Sequence, residues 1–259
     1  MPDPTRTLYR GLLVLEQLDR LSPASLAELT EATALPKATV LRLLRTLVAC
    51  GWAHRRTNDG RYGLARSTGE TAPEAVRPTR LARIAAPVLR DLTAATSFPA
   101  DFTVVAAPGM LEIVESTRTR QPGGVDPLVV GFRPSLVFSA PGRAVLAACE
   151  AEARARHPDH LQRADIPAER YFVSSGALDT ELRRTRARGW AVRAAGYWPD
   201  SSDYGEEPMD IAVVVTGGEE PTGAVSIVWP AARHAPEDVA ARHLSSLIRS
   251  AERLNALTK

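Results

Sequence analysis

The stretch from Ser25 to Leu64, SLAELTEATALPKATVLRLLRTLVACGWAHRRTNDGRYGL, constrains this chain more than any other. Leu26, Leu29 and Ala32 fall at helical spacing, Thr33-Ala34-Leu35 interrupts the pattern, and Pro36 is a residue favoured where a helix begins. Two helices joined by a tight turn follow. In the second, Val40, Leu43, Leu44 and Leu47 obey the i, i+3, i+4, i+7 rule and predict one buried stripe. Ala38, Arg42, Arg45 and Ala49 fall on the opposite side, with Lys37 and Thr39 at the helix start. That outer face is small and cationic. Small side chains let a helix enter the major groove, and guanidinium groups bind phosphate oxygens or pair with guanine O6 and N7.

Beyond Gly51 the chain reads Trp52-Ala53-His54-Arg55-Arg56, then Thr57-Asn58-Asp59-Gly60, then Arg61-Tyr62-Gly63-Leu64. Asp-Gly between two short segments predicts a hairpin. A basic hairpin after such a helix is a wing, with Arg55, Arg56 and Arg61 placed to reach phosphates or a minor groove. The competing reading is a helical hairpin with a solvated arginine face, and period, turn and basic hairpin together favour DNA. Ser25 is placed to cap the first of the two helices or to touch a phosphate there.

The run LPKATVLRLLRTLVACGWAHRRTNDGRYGL resembles the recognition helix and wing of the IclR family of bacterial transcription regulators. Upstream, RTLYRGLLVLEQLDRLSPASLAELTEATAL resembles the same family's opening helices. The likeness continues more loosely to the C-terminus. It implies an α+β chain: an N-terminal winged helix-turn-helix domain (1–67), a linker (68–82) and a C-terminal α/β GAF-like, IclR-type effector-binding domain (83–259). It also implies a homodimer or homotetramer bound to a double-stranded, palindromic DNA operator.

Charge agrees in sign. Residues 1–67 carry ten Arg or Lys against six Asp or Glu, a balance of +4, and the remainder carries −2. Hydrophobic residues at 44% and charged residues at 24% describe an ordinary soluble protein. No apolar run reaches the length of a membrane span, and MPDPTRTL lacks the core of a signal peptide, so a cytoplasmic place is expected. Cys50 and Cys149 have no Cys or His at ligand spacing, and neither a disulfide framework nor a metal site is expected.

Along the chain, Leu8–Leu21 is a first helix with Leu8, Leu12, Leu15 and Leu18 on one side. The breakers between Ser67 and Pro78 mark the domain boundary, and Leu81, Ile84, Ala85, Val88, Leu89 and Leu92 open the second domain with a helical stripe. Strands are expected at 102–106, 111–115, near 128–130, at 210–216 and at 223–229. Helices are expected from Pro141 to about Arg156, from Leu178 to Arg188, and from about Pro236 to the C-terminus. Such interspersed elements predict a sheet covered by helices.

Phe138-Ser139-Ala140-Pro141-Gly142 opens one of these helices, where small residues and unpaired amides form either a receptor for an anion or a well-capped helix start. In the IclR family this segment borders the effector pocket. Tyr197 and Trp198 stand out in a chain with 5% aromatics: they either pack on the sheet or hold a ring-bearing acid. Asp200 and Asp210 flank the loop that, by resemblance, closes the site. Asp210 and Pro141 depart from the small or uncharged residues usual in the family. GYWPDSSDYGEEPMDIAVVV is most similar to regulators of aromatic-acid catabolism.

No HExxH, HxxEH, phosphate loop or Gly-x-Ser-x-Gly elbow is present, so no enzyme activity and no cofactor are expected. The reading is a sequence-specific DNA-binding regulator modulated by a small organic or aromatic acid. The alternative is a ligand-binding GAF-like module whose N-terminal domain docks protein.

Overall fold

The computed structural model describes residues 5–21, 23–50, 52–56, 60–64, 78–122, 124–125, 127, 129–149, 167–197, 206–218 and 220–257. The N-terminal head contains α1 (Arg6–Leu21), α2 (Leu26–Thr33) and α3 (Lys37–Ala49), followed by the hairpin β1 (Ala53–Arg55) and β2 (Tyr62–Leu64). α2 starts on a capping box: Ser25 Oγ accepts the Glu28 N–H at 3.2 Å, and the Ser25 N–H donates to Glu28 Oε2 at 2.6 Å. Ala34 closes the turn in the left-handed region (φ 52). Pro36 then occupies the N-cap of α3, one position ahead of the first turn.

Val40, Leu43 and Leu44 of α3 are buried against Val14 and Leu18 of α1, Leu29 of α2 and Ala53 and Tyr62 of the hairpin. The outcome differs on α1. Leu8 and Leu12 are exposed, and the inward stripe runs through Gly11, Val14, Leu15 and Leu18. A Cβ at Gly11 would already touch Leu43 at 3.9 Å, so α1 approaches α3 on that side. β1 and β2 pair antiparallel from Ala53↔Leu64 to Arg55↔Tyr62, and Ala24 extends the hairpin by exchanging both backbone hydrogen bonds with Tyr62.

The C-terminal body opens with α4 (Pro78–Thr96), so Pro78 starts a helix instead of breaking the chain, and the expected linker is helical from there on. Residues 65–77 lie outside the described ones. β3 (Ala100–Ala107), β4 (Met110–Ser116), β5 (Ala191–Val192), β6 (Pro208–Thr216) and β7 (Pro221–Pro230) form one antiparallel sheet in the order β4-β3-β7-β6-β5. The remaining helices are α5 (Ala140–Ala148), α6 (Pro167–Ser174), α7 (Ala177–Arg188) and α8 (Pro236–Leu257).

Strand alternation sorts the two faces. Phe102, Val104, Ile211, Val215, Val225, Ile227 and Trp229 pack against α4 and α8. The intervening Ala212 and Ala224 face α5 and α7, where Val145, Leu146, Leu178 and Leu182 cover them. Helices on both faces give each strand two buried sides.

Two local expectations are corrected, and one element had none. Residues 129 and 130 are not strand; instead Gly131 and Phe132 hydrogen-bond Ile113 along the edge of β4. α5 ends at Ala148 because Cys149 turns to extended backbone (φ −65, ψ 138), and the expected continuation over 150–156 lies outside the described residues. α6 carries no expectation from the sequence.

Candidate nucleic-acid interface and effector site

The outer face of α3 is open. Lys37, Ala38, Arg42 and Arg45 are exposed and Thr39 is half-buried. Neither the Arg42 nor the Arg45 guanidinium forms an ion pair among the described residues. A helix with a small residue at its start and two free guanidinium groups one turn apart can enter a major groove without first breaking a contact.

The wing divides its three arginines. Arg55 is exposed, its Nε donating to Gly60 O at 3.2 Å and its guanidinium 5.9 Å from the Tyr62 ring. Arg61 is half-buried and spans Pro23 O (3.0 Å) and Glu28 Oε2 (2.8 Å), so it braces the helix-turn-helix as well as facing its surface. Arg56 corrects the sequence expectation. It is 3% exposed, and its Nη2 donates to the backbone carbonyl of Ser116 at the end of β4 at 2.9 Å. In this arrangement it faces the body and cannot also meet a phosphate. Ser25 spends its hydroxyl oxygen on the cap of α2.

In the body, the α5 start is fully covered: Ser139, Ala140, Pro141, Gly142 and Arg143 are all buried. Ser139 Oγ donates to Ser135 O at 2.5 Å and accepts the Gly142 N–H at 3.0 Å. Pro141 has no N–H, so the cap is filled from within the chain and no open ring of amides remains. A Cβ on Gly142 would lie 2.3 Å from Leu136 O, so the turn before α5 is closed around a glycine.

What gathers beside that cap is aromatic and cationic. The Phe138 ring lies 5.4 Å from Phe172 and 5.9 Å from Tyr197. Tyr197 Oη accepts the Ser135 N–H at 2.8 Å, and burial pushes its phenol up from the ordinary value, so it stays protonated near neutrality. Arg193 stacks 5.4 Å from the Tyr197 ring and donates Nε to Asp210 Oδ1. Its Nη1 reaches Tyr197 O at 3.3 Å. Arg143, beneath, donates to Val137 O (2.8 Å) and Val192 O (2.9 Å), tying α5 to β5. Burial lowers its proton affinity while Glu181 and Asp210 oppose that shift. On the same face of the sheet, Thr103 pairs with Ala224, and its hydroxyl is buried with no hydrogen-bond partner among the described residues. Trp198 and Asp200 lie outside the described residues.

Residues 7–57 match the model of the IclR helix-turn-helix domain. Residues 74–256 match that of the bacterial transcriptional regulator IclR C-terminal domain, which spans well over half of the chain. The chain belongs to the IclR family. It is 30% identical to the Pca regulon regulatory protein of Pseudomonas putida over 195 residues, 74% of this chain and 65% of that one, so it spans just under two thirds of that relative's length. An IclR transcriptional regulator of Alicyclobacillus acidocaldarius shares the fold (TM-score 0.55, 21% identity, 99% of this chain and 100% of that one). So does an IclR homolog of Microbacterium hydrocarbonoxydans complexed with 4-hydroxybenzoate (TM-score 0.52, 19% identity, 97% and 98% covered).

The two matches cover the head and the body respectively. Sequence reasoning missed Arg143, Phe172, Arg193 and Ser135, which share the space with Phe138, Tyr197 and Asp210. The available signal was Arg193 itself, a cation directly after the short strand β5 and ahead of Tyr197.

Proposed function

We propose that this IclR-family chain is a sequence-specific regulator whose effector is a small hydroxylated aromatic acid held on the α5 side of the body sheet. The observation that carries the reading is the meeting of Phe138, Phe172 and Tyr197 with the Arg193–Asp210 pair at one edge of that sheet. Rings supply a planar apolar wall, Arg193 supplies donors for a carboxylate, and Asp210 supplies an acceptor for a phenolic hydroxyl. The unfilled hydroxyl of Thr103 adds one more polar group on the same face. The 4-hydroxybenzoate held by a protein of the same fold supports this ligand class.

On the DNA side, Lys37, Ala38, Thr39, Arg42 and Arg45 read the major groove, and Arg55 meets a phosphate. Two heads in a two-fold oligomer read half-sites roughly one helical turn apart, or a multiple of it. The body senses its ligand and does not convert it, and the protein works in the cytoplasm, where its operator is. No helix among the described residues is long and apolar enough to cross a membrane.

The test is a gel shift on the intergenic DNA beside the protein's own gene, repeated with hydroxybenzoates, dihydroxybenzoates and short aliphatic acids. A hydroxylated aromatic acid should change operator affinity by about five-fold or more, and Arg193→Ala should abolish that response while leaving ligand-free DNA binding intact. An operator affinity indifferent to every aromatic acid, or a response kept by Arg193→Ala, would overturn the reading.

A further inference from the structure

The contact between wing and body goes beyond the effector reading and does not depend on it. Arg56 directly follows the first wing strand, and its guanidinium is buried against the carbonyl of Ser116, sixty residues away in the other domain. That acceptor is held from several sides. The Ser116 N–H donates to Glu115 Oε1 at 3.0 Å, and Ser116 Oγ accepts the Arg118 N–H at 3.1 Å. Arg118 grips Asp101 of β3 through both Nε and Nη2, with both side chains buried. Next in the chain, Thr117 Oγ1 shares a hydrogen bond with Thr93 Oγ1 of α4 at 2.7 Å and accepts the Ala100 N–H at 2.7 Å.

The carbonyl that receives Arg56 is therefore fixed to β3, β4 and α4 together. Asp101, at the far end of this chain of bonds, stands opposite Ser226 of β7 on the face that α5 covers.

We propose that Arg56 is a coupling residue: it latches the wing onto the body sheet at Ser116, so that the body sets the orientation of the DNA-reading head. A buried guanidinium must keep a partner, so the head sits either latched, with Arg56 on Ser116, or released, with Arg56 in water. The two arrangements place α3 differently relative to the body. A displacement at the end of β4 moves the wing directly, with no relay through the segment that joins the domains. Arg55, one residue earlier, points the other way and stays available to DNA.

The experiment uses the full chain and its Arg55→Ala, Arg56→Ala and Arg56→Lys variants. Hydrogen exchange is followed by mass spectrometry without DNA, and binding to a random-sequence duplex is measured between 50 and 200 mM salt. Arg56→Ala should speed exchange at the wing and at the end of β4 by about five-fold or more while α3 keeps its protection. Its slope of log affinity against log salt should equal that of the unaltered chain. Arg56→Lys, which keeps a charged donor of similar reach, should recover at least part of the protection, and it stands in if the alanine variant unfolds. Arg55→Ala should flatten the slope by about 0.9, one phosphate contact, with exchange unchanged.

The proposal is overturned if Arg56→Ala flattens the slope by that amount, or if exchange at the β4 end is untouched. A chain with no salt-dependent affinity for duplex at all would defeat the DNA reading instead, and the exchange result would still decide the latch.

Discussion

The outer face of α3 and the wing are made from the same residue type at similar density, yet two of the wing's three arginines end in the environment opposite to that of the helix face. Arg42 and Arg45 on α3 are exposed. Ten to twenty residues later, Arg56 is buried on Ser116 O and Arg61 bridges Pro23 and Glu28. Cation density is therefore written locally, whereas the availability of a cation is decided by acceptors that arrive from elsewhere in the fold. An arginine facing water costs nothing to keep free for DNA. One that has met a carbonyl and lost its water shell is part of the scaffold.

The largest effect expected from this division lies in the body. Arg118 is the only ion-pair partner that the described residues provide for the Asp101 carboxylate, and both side chains are almost wholly buried, at 4% and 2% exposure. Arg118→Ala leaves a buried carboxylate uncompensated and should cost about 3–5 kcal/mol of stability. Denaturant unfolding measures it. A loss below about 1 kcal/mol, the range of a surface pair, would mean that burial does not separate captured arginines from free ones.

Arg42→Ala should behave in the reverse way. Losing a bidentate contact to a base costs about 1–3 kcal/mol of operator affinity and removes preference for operator over random duplex. Stability should move by less than about 0.5 kcal/mol, because nothing in the folded head leans on that side chain. Titration against both duplexes, with an unfolding curve of the same sample, checks the pair of outcomes. An Arg42→Ala protein that discriminates as well as the unaltered chain would take the reading face away from this part of α3.

The same distinction explains what was legible in the sequence. The buried stripe of α3, the strands β6 and β7 and the helix α8 follow periodicities carried by adjacent residues, and each formed where the pattern put it. The stripe of α1 did not. Leu8 and Leu12 are as apolar as Leu18, but the approach of α3 at Gly11 turned the helix so that they point outward. α5 stops at Cys149 although its helical pattern continues, since the chain there turns to extended backbone.

At the proposed effector site, Phe138, Tyr197 and Asp210 were visible as unusual residues in a pattern of resemblance. Arg193 pairs with Asp210 only through the β5–β6 register, and Phe172 comes from a helix that no signal announced. Contacts between Arg56 and Ser116 are further still from anything a local period encodes.

Ser25→Ala tests a smaller term on the head side. It removes the hydroxyl that receives the Glu28 N–H and should destabilise the head by about 1 kcal/mol, with duplex affinity unchanged under conditions where the variant is fully folded. A loss of affinity for operator and random duplex alike would return Ser25 to the phosphate contacts, and would blur the line between capping groups and DNA-facing ones.

The smallest effect comes from Glu28, the carboxylate that pairs with Arg61. Its pKa is lowered from the ordinary 4.5, chiefly by the Ser25 backbone N–H, with the Ser25 hydroxyl and Arg61 adding to the shift and desolvation opposing it. A carboxyl whose folded value is depressed contributes stability that is fully present above its unfolded value and is lost as pH falls through the folded one. The contribution should thus be intact at pH 6 and fade below about pH 4.5. Glu28→Gln keeps an oxygen for the cap but no charge, so its stability deficit against the unaltered chain should shrink as acid is added. The same variant removes the Glu28 ion pair of Arg61 at neutral pH while the bond to Pro23 O remains, and any steepening of the salt dependence of duplex binding should stay below the about 0.9 of one added phosphate contact. A deficit that does not change with pH would show that the carboxylate's charge plays no part in the cap. An unchanged slope would mean that Arg61, even without the Glu28 charge, belongs with Arg56 on the structural side of the division.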